Sequence, residues 1–171
     1  MLMEATMLIA IAALNLDEEG RFLVSPSIEF ATGRPTREEA EGHSYPFTAK
    51  EIRVLGQVVN VINAAPISHP IRITGHTDNV ECTPYAAPSS ATLDPRGLCV
   101  GLAHYRVMVV VWKLIDLGVD NSKIVESSPG DLFPIAANDT EEGRARNRVV
   151  QFVDAFAKEP GVTNESAPKK R

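Results

Sequence analysis

Two residues of opposite charge fall where a small molecule could be gripped between them. Asp78 lies in Gly75-His76-Thr77-Asp78-Asn79, directly after the alternating stretch Pro70 to Thr74. A carboxylate at a strand end, on a loop held by a sheet, is placed to meet a ligand ammonium. Arg106 lies in an otherwise apolar helical run, LAHYRVMVVVWKLIDLG, with Leu102, Val109 and Leu114 on its inward face. An arginine there is costly unless its guanidinium finds solvent or a partner. A guanidinium matches a carboxylate bidentately, so the pair could hold a zwitterionic amino acid by both ends. On spacing alone a plainer alternative leads: the two pair with each other, or Asp78 only caps a turn. A third charged stretch, Asn138 to Val149, alternates Arg144, Arg146 and Arg148 after Glu141 and Glu142. Its plain reading is a solvated face, above all for Arg146.

Catalytic patterns are missing from the sequence. There is no GxSxG elbow, no GxGxxG fingerprint and no phosphate-loop lysine, and His43, His69, His76 and His104 stand singly. An enzyme is therefore the weaker class, and no cofactor or metal is expected. Cys82 and Cys99 lack zinc-ligand spacing. A disulfide between them and two separate thiols both fit the sequence.

The elements that must position these residues follow from periodicity. Thr48, with Glu51 three residues on, opens a helix whose apolar face is Ile52, Leu55, Val58, Val59 and Ile62 and which ends before Pro66. Pro70 to Thr74 is a strand, broken by Gly75, with Ile71 and Ile73 on one face. Asn79 to Leu93 is a long loop. Asp94-Pro95 starts a second helix running to about Leu117, with Gly118 after it. Lys123 to Ser127 is a short strand, 128–147 a loop with a helical turn near Glu141 to Arg144, and Arg148 to Phe156 a final strand. Before all of these, Arg21 to Phe30 is strand-like but carries Pro26, which makes it an edge strand or two short strands. Residues 31–46 read as a loop. The order predicts an α+β domain, β/α/β/α/β/β, with a mixed sheet and helices packed on it.

The chain has 171 residues and a net charge of −5, enough length for one cored domain plus tails and a poor balance for nucleic acid. Residues 7–16 (MLIAIAALNL) are apolar but half the roughly twenty needed to span a bilayer. Glu4 precedes them with no Lys or Arg, so a cleavable signal is not supported. A packed helix or strand, the end of a truncated anchor and a weak anchor all stay open. Residues 158–171 read as a disordered tail.

Three segments, in order, resemble the OmpA-like family in its MotB branch. GHTDN resembles the family's GHTDxxG core. LAHYR at 102–106 resembles LSxxR. PIAANDTEEGRARNRVV at 134–150 resembles PxAxNxTxEGRxxNRRVE. The resemblance implies a peptidoglycan-binding domain at 45–157 after an extension at 1–44. It implies a periplasmic setting and grip on the diaminopimelate of the stem peptide, with Asp78 taking the amine and Arg106 the carboxylate. Thr77, Asn79, Asn147 and Arg148 would line or support that pocket. It also implies a homodimer and, for a stator-like component, an inner-membrane partner subunit. The sequence departs from the family at the missing glycine after GHTDN, at Cys99, Ala103, Val149 and Gln151, and by a loop insertion bearing both cysteines. These departures favour an alternative, a protein-interaction module with a vestigial pocket.

Overall fold

A computed structural model describes residues 26–64, 70–81 and 95–155. In chain order these form β1 (Ser27–Glu29), α1 (Arg37–Glu41), α2 (Ala49–Ala64), β2 (Ile71–His76), α3 (Pro95–Asp116), β3 (Ile124–Gly130), α4 (Glu141–Asn147) and β4 (Val149–Asp154). The apolar run 7–16, the strand-like residues 21–25, Asp94, most of the loop 79–93 with Cys82, and the tail 158–171 lie outside the described residues, so the expectations for them do too.

The sheet has the order β1-β4-β2-β3. β1 pairs antiparallel with β4, β4 antiparallel with β2, and β2 parallel with β3. A parallel pair needs a crossover between its strands, and α3 lies between β2 and β3 in the chain. Pro26 precedes β1, which is an edge strand as a proline there requires.

Alternation decides which face is covered. Ile73 pairs in register with Phe152, and Ile28 with Val150, and all four are fully buried. Their neighbours Arg72, Gln151 and Val153 are half-buried. One face thus carries the core, shared with Leu55, Val58 and Ile62 of α2 and Val107, Val110 and Leu114 of α3.

The helix ends follow local chemistry. Glu51 N–H donates to Thr48 Oγ1 (3.3 Å) and Thr48 N–H to Glu51 Oε2 (2.6 Å), the reciprocal box expected for α2. Lys123 Nζ donates to the carbonyls of Ile62 and Asn63 at its other end. α3 closes with Gly118 at φ 94°, where a left-handed residue suits glycine. Gly118 N–H then reaches Ile115 O and Val119 N–H reaches Leu114 O, the paired bonds of a Schellman ending.

Two expectations need correction. Residues 31–46 are not all loop, because Thr36 and Glu39 form a capping box that starts the five-residue α1. Gly75 does not break β2, which continues through His76. A Cβ on Gly75 would lie 2.4 Å from Ala103 O and 2.8 Å from Val107 Cγ2. The glycine is there so that α3 can lie against the strand.

Among the described residues, no helix is long and apolar enough to cross a membrane. Nor do any three His, Cys, Asp or Glu side chains there cluster as a metal site.

Candidate ligand-binding site

Arg106 is fully buried, and α3 carries it to the end of β2. Each of its five N–H donors has an acceptor. Nε–H donates to Arg34 O (2.8 Å), and Nη1 to His76 O (2.8 Å) and Glu81 Oε1 (2.7 Å). Nη2 donates to Glu81 Oε2 (2.7 Å) and, at 3.4 Å, to Ala31 O. Phe30 lies below the guanidinium, 5.1 Å from ring centroid to Cζ. Three carbonyls from two chain segments thus fix the plane, and the bidentate edge holds one carboxylate. That carboxylate belongs to the chain itself. Glu81 has no side-chain exposure, and its oxygens also accept from Asp78 N–H (3.1 Å) and Gly33 N–H (2.9 Å).

Asp78 opens the turn after β2. Its Oδ1 accepts from the N–H groups of Val80 and Glu81, both at 2.8 Å. Its Oδ2 accepts from Arg148 Nη1 at 2.8 Å. Arg148 in turn bonds the exposed Glu141 through Nη2 at 2.7 Å. Its Nε is buried without a hydrogen-bond partner among the described residues. Asp78 therefore does cap a turn, while the ion pairs run Asp78–Arg148 and Glu81–Arg106.

Burial pushes the Asp78 carboxyl up. The Arg148 guanidinium and the two N–H groups more than offset this and hold it below the usual aspartate range. A depressed folded pKa gives stability that is complete above the unfolded value and lost as pH falls through the folded one. Asp78→Asn should therefore flatten the loss of stability as pH falls from about 5 to about 3. Urea midpoints of both proteins across that range check this. Curves that stay parallel would contradict it.

The remaining expected residues divide. Thr77 is buried, and its N–H donates to Gly130 O (3.1 Å), tying the ends of β2 and β3 together. Asn79 is exposed at the tip of the turn. Asn147 is buried and works as a scaffold. Its Oδ1 accepts from Ile135 and Ala136 N–H (2.8 and 2.9 Å), and its Nδ2 donates to Ala136 O and Asn138 Oδ1 (both 2.8 Å). Asn147→Ala would strand those two N–H groups, a loss of about 2 kcal/mol. Asn147→Asp keeps that acceptor but turns an acceptor oxygen toward Ala136 O where the Nδ2 donor stood, so it should not restore the loss; a wild-type unfolding midpoint in either variant would contradict this. Arg146 is exposed. Cys99 is buried and disulfide-bonded, and the chain's other cysteine is Cys82.

Glu81 went unnoticed in the sequence, and Glu141 was read there only as part of a charged stretch. A signal for Glu81 was present: it stands three residues after Asp78, where the GHTDxxG pattern has its glycine. Glu141 carried only the ordinary preference of acidic residues for a helix start.

The OmpA family model matches residues 41–148. The peptidoglycan-binding protein ArfA of Mycobacterium tuberculosis is 29% identical over 127 residues, which cover 74% of this chain and 34% of ArfA. The match thus spans about a third of that curated relative's length. The C-terminal domain of Helicobacter pylori MotB superposes with a TM-score of 0.56 at 22% identity, covering 81% of this chain and 87% of that domain. The peptidoglycan-associated lipoprotein of Burkholderia pseudomallei gives 0.54 at 22% identity, covering 75% and 89%. These two structures share the α+β architecture of the described residues. With the family model covering more than half of its length, this chain belongs to the OmpA family.

Proposed function

We propose that this chain binds peptidoglycan without covalent bonds, as a wall anchor for an envelope protein or complex in the periplasm. Its ligand is the diaminopimelate of the stem peptide. Arg106 takes the carboxylate and Asp78 the ammonium. The observation that carries this is the Arg106 guanidinium, oriented by three main-chain carbonyls with its bidentate edge given to a carboxylate. The guanidinium is thus oriented before any ligand arrives, which limits the part of the ordering cost that falls on Arg106. Family membership and the likeness to ArfA, a peptidoglycan-binding protein, support peptidoglycan as the polymer bound. The proposed role is binding, so muropeptides incubated with the protein should be recovered uncleaved. The implied homodimer and inner-membrane partner belong to the proposal, and sedimentation of the purified chain tests the first.

A second reading, an interaction module with a vestigial pocket, is favoured by one observation: Glu81 already sits on Arg106. Co-sedimentation with purified sacculi separates the two. Wall binding predicts pelleting that free diaminopimelate competes away. It also predicts that Asp78→Asn weakens pelleting by about 2 kcal/mol or more, roughly 30-fold. The interaction reading predicts that the wild-type protein stays in the supernatant.

A further inference from the structure

We propose that Glu81 is an internal competitor for the carboxylate of the incoming ligand, so that the site binds only when Glu81 leaves Arg106. The proposal rests on the wall-binding reading and adds its control. Glu81 makes the same bidentate contact that a ligand carboxylate would make, 2.7 Å to each terminal nitrogen. Three of the five guanidinium donors are held by main-chain carbonyls and not by Glu81. The other two are the ones a ligand needs. Exchange of one carboxylate for another therefore leaves the number of buried charges unchanged, and no desolvated guanidinium is left alone.

The chain around Glu81 suits such an exchange. It ends a turn whose preceding residues, Asn79 and Val80, are both exposed, and Val80 is 61% exposed. Its other two bonds are to main-chain N–H groups, of Asp78 and Gly33. Both are donors that a ligand carboxylate or water can satisfy in its place. Arg106, by contrast, is fixed from β2, the residues after β1 and α3, and cannot move without dismantling all three. The movable partner is the glutamate.

The consequence is a lowered apparent affinity. If the open form is populated to about a tenth or less, ligand binds about tenfold or more weakly than the open site would. Glu81→Gln keeps the side chain's shape but removes its charge. It should bind a soluble diaminopimelate-containing tripeptide about tenfold more tightly than wild type in calorimetry. Glu81→Ala goes further and vacates the edge of Arg106. Its thermal midpoint should rise with added acetate, measured against chloride at equal ionic strength, because acetate binds the folded state alone. Wild type should show no such rise, and Glu81→Ala combined with Arg106→Met should lose it.

A Glu81→Gln protein that binds the tripeptide no better than a binding-competent wild type would overturn the competitor while leaving wall binding intact. So would a Glu81→Ala midpoint that acetate raises no more than it raises wild type. Acetate rescue with no tripeptide binding in any variant would sink the wall reading instead, and would keep Glu81 as a competitor for some other carboxylate. Should Glu81→Ala fail to fold, the Glu81→Gln comparison decides alone.

Discussion

Arg106→Ala should destabilise the fold by about 3–5 kcal/mol, because it leaves the Glu81 carboxylate buried without its partner. The same change strands the carbonyls of Arg34 and His76, each at 2.8 Å from the guanidinium. Arg106→Lys should not restore the loss. An ammonium has three donors on a single atom and cannot bridge three carbonyls and both carboxylate oxygens. Arg106→Met with Glu81→Gln leaves no buried charge unpaired, so it should regain part of the stability and none of the wall binding. Urea unfolding at constant slope reads the first effect and sacculus pelleting the second. An Arg106→Ala protein as stable as wild type would mean that Glu81 is not held as described.

Gly75→Ala should cost about 1–3 kcal/mol or more, although it adds a single methyl group. The added Cβ would sit 2.4 Å from Ala103 O and 2.8 Å from Val107 Cγ2. The first of these is backbone, so no rotamer change relieves it, and α3 itself must move. Ala103 and Val107 are one turn apart and bracket Arg106. His76, whose carbonyl takes Nη1, is the next residue after Gly75. Displacing the helix therefore loosens Arg106 as well as the core, and ligand affinity should fall together with the unfolding midpoint. A variant within about 0.5 kcal/mol of wild type would show that the helix tolerates the shift.

How much of this was legible in the sequence depended on whether its causes were local. The Thr48–Glu51 box and the Gly118 ending are set by residues within one turn, and both helix ends fell where the sequence put them. The Thr36–Glu39 box was equally readable, but α1 spans one turn and buries only Ala40, so no apolar period drew attention to it. Gly75 looked like a strand breaker because its reason, the carbonyl of Ala103, lies 28 residues away in the chain. Asp78 and Arg106 were both named from the sequence, and the structure sets both beside the end of β2. Their immediate partners, Arg148 and Glu81, were set by tertiary contacts across 70 and 25 residues that no spacing rule encodes. Arg148 was named as a supporting residue only through the family resemblance.

The most direct measurement is a structure of the protein bound to a diaminopimelate-containing stem peptide. It should show a ligand carboxylate on Nη1 and Nη2 of Arg106, the ligand ammonium at Asp78, and Glu81 turned away. A bound peptide that leaves Glu81 on Arg106 and lies elsewhere on the surface would contradict the account.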